Sequence, residues 1–263
     1  GGISIADLFA AGIVPALLMT LTLMLTGWAI ARRRGYATES FPGGRAVLVR
    51  LIAALPGLLL VALIFVGIKA GIFTAIESAS IAVVYALLVT TLVYRGLDRH
   101  AFLETLGGAA RTTGVILFVI AAATSFGWLL AYLQVPAAAV EALRAIADNK
   151  YAILMLLNLV LLVLGTFMDL APLIIICTPI FLPVARAFGI DPLHFGVILI
   201  LNGGIGLITP PVGSVLFVGS AIGQISITQA LRSIWPFYLA AFAVLMLVTY
   251  IPALTLWLPA LLK

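Results

Sequence analysis

Asp169 is the only charged residue between Lys150 and Arg186, and it stands in "GTFMDLAP", residues 165–172, inside sequence that otherwise reads as lipid-soluble helix. A carboxylate at mid-membrane costs about 2.5 to 3.5 kcal/mol on insertion scales, and coordination of a cation would offset that cost. The neighbouring residue types describe a helix break. Gly165 permits unusual backbone angles, Asp169 is placed to cap the helix that follows, and Pro172 suits that helix's first turn, where no donor is needed. A second stretch, "NGGIGLITPPVG" at residues 202–213, repeats the pattern. There Gly203, Gly204 and Gly206 loosen one helix, Thr209 is placed to cap the next, and Pro210 and Pro211 fix its start. Each break sets a carbonyl-rich helix end, attractive to a cation, beside a helix start attractive to an anion. From Asp169 a helix of about 18 residues reaches a turn at Asp191, and about 10 more bring Asn202 back to similar depth. Two breaks at one depth are how secondary transporters hold sodium and substrate near the bilayer midplane. The blander readings are that Asp169 is the N-cap of a buried helix and that the glycines serve close helix packing.

The elements that must position these residues are membrane helices. Of the 263 residues 64% are hydrophobic and 9% charged, a balance that cannot cover a soluble globule. Long apolar runs favour a helical bundle over a barrel, whose strands alternate in short segments. The net charge of +5 belongs to arginines flanking apolar segments, which sets topology and gives no nucleic-acid surface. A single cysteine, Cys177, excludes an internal disulfide and a cysteine-based metal cluster. The expected spans are 11–31, a second ending near Gly67, 78–94, 113–133 and 235–262, and the first is expected to stay as an anchor, since no cleavage pattern follows it. Residues 95–111 read as a helix along the interface, and 136–150 as an amphipathic connector. Residues 151–187 are 37 mostly apolar positions. One helix of that length would run roughly 55 Å, almost twice the hydrocarbon thickness. The segment is therefore expected to break at 165–172 into a re-entrant hairpin of two arms too short to cross comfortably, and 194–223 to form a discontinuous transmembrane helix.

Charge supports that topology. With the basic linker after the first span inside, the inner face carries Arg32, Arg33, Arg34, Arg45, Arg50, Arg95, Arg99, Arg111 and Arg232 against Glu39, Asp98 and Glu104. The outer face balances Lys69, Arg144, Lys150, Arg186 and Lys263 against Asp7, Glu77, Glu141, Asp148 and Asp191. This matches the positive-inside rule only if 151–187 enters and leaves on one face.

"AGIVPALLM", "GIFTAIESASIAVVYALLV", "GTFMDLAPLIII", "GIDPLHFGVI" and "GLITPPVGSVLFV" together resemble, in order, the second half of the large membrane subunit of TRAP (tripartite ATP-independent periplasmic) transporters. That resemblance implies an all-α polytopic membrane protein that is one repeat of an inverted-repeat elevator transporter. Residues 1–112 would be scaffold-type helices with an interfacial arm, and 113–263 transport-type helices. The implied activity is sodium-coupled uptake of small organic acids across a bacterial or archaeal inner membrane. The implied partners, besides membrane lipid, are a periplasmic substrate-binding protein, a small four-helix membrane subunit and the first half of the large subunit, supplied by another chain or by the rest of a longer one. By the same likeness Gly165, Thr166, Met168, Asp169, Asn202, Gly204, Gly206, Thr209 and Pro210 would form one clamshell. Its Na+ ligands would come from Thr166, Asp169, Gly204 and Thr209, mostly as backbone carbonyls. The family has proline and threonine after "GIFT" where this chain has Ala75 and Ile76, so a looser turn is expected there.

Lesser signals have plainer readings. Glu77 reads as a helix cap, Asn158 as an interhelical hydrogen bond, His100 and His194 as lone residues near membrane surfaces, and Gly219 with Gly223 as a weak GxxxG spacing. An aspartyl intramembrane protease needs two buried aspartates and a serine type needs a histidine at depth, so an enzyme is not expected. An ion channel or other permease lined by broken helices is the closer rival.

Overall fold

The computed structural model describes residues 2–36, 42–146, 149–211 and 213–262. Glu39, Asp148 and Lys263 of the charge argument, Val212 of the second break and the middle of the linker after the first span lie outside the described residues. Within them the chain is α-helical, with one π-helical turn and no strand. In order come α1 (Ile5–Arg34), α2 (Gly44–Lys69), α3 (Ala75–Leu88) continued by the π-turn Val89–Val93, α4 (Arg99–Tyr132), α5 (Val135–Ile146), α6 (Lys150–Phe167) and α7 (Leu170–Ala187). Then follow α8 (Pro192–Gly206), α9 (Ser214–Ile222), α10 (Ile227–Tyr250) and α11 (Ala253–Leu261). Among the described residues seven helices are long and apolar enough to cross a membrane, so the protein is an all-α polytopic membrane protein.

The chain divides into two compact units, one of residues 1–34 with 115–263 and one of residues 35–114. The second is built around a hairpin of α2 and α3. Its turn is held by a capping box: the Thr74 amide donates to Glu77 Oε2 at 2.7 Å, and the Glu77 amide donates to Thr74 Oγ1 at 3.3 Å. The box is intact with Ala75 and Ile76 in place, so the turn is not loosened, and Glu77 is the cap that its position implied. Tyr85 ties the two helices by donating to the Pro56 carbonyl at 2.9 Å.

Two expected boundaries move. The interfacial arm and the fourth span form one helix, α4, because 97–133 contains no proline and the Gly107–Gly108 pair costs too little to break it. The last span divides: Pro252 has no amide to donate, Ile251 turns extended, and α11 starts anew. Within the larger unit α1 packs on α8, α10 and α11, where Ala11 meets Val197, Val244 and Val248.

Between α6, α7 and α8 lies the largest buried cluster, with Ile153, Leu161, Leu173, Phe195 and Ile198 at its centre. Lipid tails are as apolar as these side chains, so the cluster holds by close packing and by the hydrogen bonds threaded through it. Tyr151 at the start of α6 packs its ring on Tyr250 at 6.0 Å. Just beyond α7, His194 lies 3.2 Å from the Thr249 carbonyl and 2.8 Å from the Thr255 hydroxyl. The outer ends of α6 and α7 therefore meet the same end of α10. Each arm has 18 residues, about 27 Å, longer than expected and close to a full crossing, so the shared end, rather than length, makes the pair a hairpin.

Candidate functional site

The first break is two residues long. Met168 leaves the helix with φ −125° and ψ 144°, its amide donating to the Leu164 carbonyl at 3.1 Å. Asp169 takes the N-cap position of α7 with extended backbone, and Pro172 falls in that helix's first turn. The Asp169 carboxylate makes no capping bond, contrary to the role its position implied; its carbonyl accepts from the Leu173 amide at 3.0 Å. The side chain is exposed at the hairpin tip.

The second break lies between Gly206 and Ser214, and its first residues, 207–209, are wound rather than open. Amides of Leu207, Ile208 and Thr209 bond back to the carbonyls of Gly203, Ile205 and Gly206, and the Val215 amide reaches the Leu207 carbonyl. Thr209 does not cap α9. Its hydroxyl donates to the Ile205 carbonyl at 2.7 Å, and the N-cap is Gly213, at φ 30°. Positive φ suits glycine. Pro210 and Pro211 accordingly lie in the loop and not at the start of α9.

The two breaks meet. A Cβ placed on Gly206 would lie 2.4 to 2.6 Å from the backbone atoms of Gly165, and one on Gly165 would lie 3.4 Å from the Asn202 carbonyl oxygen. Glycine at 206 is what allows this approach of α6 to α8. The Gly213 amide crosses to the Thr166 carbonyl at 3.3 Å, so the second break is bonded to the tip of the first. Of the expected site residues, Gly165, Thr166, Asn202 and Gly206 thus share one buried contact, with Thr209 at its edge and Met168 and Asp169 at the tip. Gly204 does not join them: it faces outward, with no atom of the described residues within 4 Å of where its Cβ would stand. Pro210 is exposed.

Behind the contact runs a buried polar chain. Asn202 Nδ2 donates to Asn158 Oδ1 at 2.6 Å and to the Ile198 carbonyl at 2.9 Å, and Asn158 Nδ2 donates to Thr249 Oγ1 at 2.9 Å. His194 belongs to the same region through the Thr249 carbonyl, so it is a partnered buried residue rather than a lone one near the surface. Asn202 is 0% exposed, yet among the described residues its Oδ1 meets no hydrogen-bond donor. A neutral, desolvated amide oxygen is a hard ligand of the kind alkali ions take, so the donor set fits Na+. The Thr166 and Thr209 hydroxyls spend their protons on the Val163 and Ile205 carbonyls, leaving oxygen lone pairs to a cation. Tyr238 of α10, which no sequence signal marks, donates its hydroxyl to the Ile208 carbonyl and fastens the second break.

The family model described as "Tripartite ATP-independent periplasmic transporter, DctM component" matches residues 1–254. Among curated proteins the chain is 40% identical over 261 residues to the uncharacterized protein YgiK of Salmonella typhimurium, covering 99% of this chain and 60% of that protein. It is 40% identical to the sialic acid TRAP transporter large permease protein SiaM of Vibrio cholerae, over 98% of this chain and 60% of that one. To the C4-dicarboxylate TRAP transporter large permease protein DctM of Rhodobacter capsulatus it is 36% identical, over 98% and 59%. The chain thus spans about three fifths of the length of these relatives. With the match running through both breaks and nearly every helix, the chain belongs to the DctM component family of tripartite ATP-independent periplasmic transporters and is a multi-pass protein of the bacterial inner membrane.

Proposed function

We propose that this chain is part of the large membrane subunit of a sodium-coupled secondary transporter, acting without catalysis, that imports a small organic acid of the dicarboxylate or sugar-acid type. The observation that carries the reading is the seating of one break on the other, Gly165 against Gly206, together with the buried Asn202 amide oxygen, which meets no donor among the described residues. In this reading the Thr166 and Thr209 hydroxyls, the Asn202 amide oxygen, and carbonyls near Gly165 and Gly206 hold Na+, and Asp169 lends negative charge at the tip. The hairpin is re-entrant, and 151–187 with 194–223 moves as the transport part against a scaffold. A periplasmic binding protein delivers the acid, and a small membrane subunit and the remaining two fifths of the permease complete the assembly. Each net positive charge carried inward gains about 2.3 kcal/mol per 100 mV, enough to concentrate an anion when sodium is carried in excess.

The test is uptake into proteoliposomes by the complete assembly with its binding protein. Asp169→Ala and Thr209→Val are expected to raise the sodium concentration for half-maximal uptake several-fold. Unchanged sodium dependence in both variants would refute the site, and uptake indifferent to sodium would refute the coupling. Flux that neither saturates nor needs the binding protein would favour the channel reading.

A further inference from the structure

The amide of Asn202 is held one way round. Its nitrogen spends both hydrogens on acceptors, Asn158 Oδ1 at 2.6 Å and the Ile198 carbonyl at 2.9 Å, while its oxygen meets no donor among the described residues. The two ends of an amide have nearly the same shape and opposite polarity, so neighbours alone decide which end points where. Turned over, this one would set its oxygen against two acceptors and offer N–H groups where the oxygen now stands, which repels a cation. Asn158 is itself oriented, because its nitrogen donates to Thr249 Oγ1 at 2.9 Å and leaves its oxygen for Asn202. In the reversed arrangement the Thr249 hydroxyl would donate to Asn158 and Asn158 to Asn202, but the Asn202 oxygen would then face the Ile198 carbonyl. The chain joins α10, α6 and α8 through side chains of residues at most 2% exposed, so bulk water does not compete for these bonds. At its near end the Asn202 carbonyl oxygen lies at the meeting of the two breaks, 3.4 Å from where a Cβ on Gly165 would stand.

We propose that Asn158 is a positioning residue for sodium: anchored by Thr249, it turns the Asn202 amide so that oxygen and not nitrogen is presented to the ion. The inference rests on the sodium reading of the two breaks and adds to it a residue that touches no ion itself. A packing role alone would lower stability and leave sodium affinity unaltered, whereas a positioning role moves sodium affinity.

The experiment titrates the complete assembly with sodium, reading the unfolding midpoint of the purified protein and, after reconstitution with its binding protein, the initial rate of uptake. Asn158→Leu is expected to raise half-saturating sodium about tenfold in both readouts, as loss of a residue that orients a metal ligand does, with uptake at saturating sodium within about twofold of wild type. Asn158→Asp, of the same shape and with an oxygen still facing Asn202, is expected to stay within about threefold of wild type. A lowered maximal rate with unaltered half-saturating sodium in Asn158→Leu, or an equal shift in the two variants, would overturn the proposal. Should Asn158→Leu fail to assemble, Asn158→Ser, too short to reach Asn202, carries the same expectations. Asn202→Leu separates the proposal from the reading beneath it: no shift in this variant removes the amide as a ligand and the proposal with it, while a shift here without one in Asn158→Leu removes only the positioning role. A wild-type assembly indifferent to sodium in both readouts removes both.

Discussion

At the residue scale the site depends on the side chain that Gly206 lacks. Gly206→Ala would put a methyl group 2.4 to 2.6 Å from the Gly165 backbone, which has no rotamer with which to yield. The helices must part, at a cost of about 1 to 3 kcal/mol by comparison with overpacked cores. The expected outcome is a lower unfolding midpoint in detergent and loss of uptake; a wild-type midpoint would show that the contact is looser than described. Asn158 is the second sensitive position. Asn158→Ala removes the acceptor of Asn202 and the donor to Thr249, both buried. Interhelical bonds in membranes average about 0.6 kcal/mol, so losing both is expected to cost about 1 kcal/mol. Thermal unfolding of the purified variant checks this, and no shift at all would mean that the network is not formed. Asn158 was legible as an interhelical hydrogen bond, but its partners were not, since they lie 44 and 91 positions away.

At the element scale, breaks are chosen by residues that cannot continue a helix and then shaped by neighbours. The first break fell within 165–172 as expected, with Asp169 at the N-cap position of α7 but making no side-chain capping bond. In the second break the caps predicted from Thr209 and the prolines were displaced by Gly213, whose φ of 30° starts α9. Gly213→Ala is expected to fray α9, since its Cβ would lie 2.9 Å from the Thr209 carbonyl oxygen in a strained conformation. Faster amide exchange at 214–218 with α8 unchanged is the predicted signature; uniform protection across both would contradict it. The continuous α4 makes the opposite point, because an amphipathic arm and an apolar span join into one helix when nothing between them stops it.

At the scale of the molecule the decisive feature is that α6 begins and α7 ends beside the same end of α10. In a background with Cys177 replaced by alanine, cysteines placed at Asn149 and at Phe188 are expected to react with a membrane-impermeant thiol reagent from the same side. Labelling from opposite sides would undo the hairpin. The charge count pointed to this arrangement, since Arg32 and Arg232 share a face only if 151–187 returns to the side it entered.

By itself the sequence determined the membrane class, the helical architecture, the places where helices cannot continue and the lone acid at one of them. Hydropathy, proline and glycine act locally, within a few residues, and need no partner to be read. Only the tertiary structure decided that Gly165 touches Gly206, that Gly204 looks away, that Tyr238 fastens the second break and that Asn202 is buried with one oxygen left without a donor among the described residues. Those relations depend on helix rotation and on crossings between segments far apart in the chain, and helical periodicity sets neither.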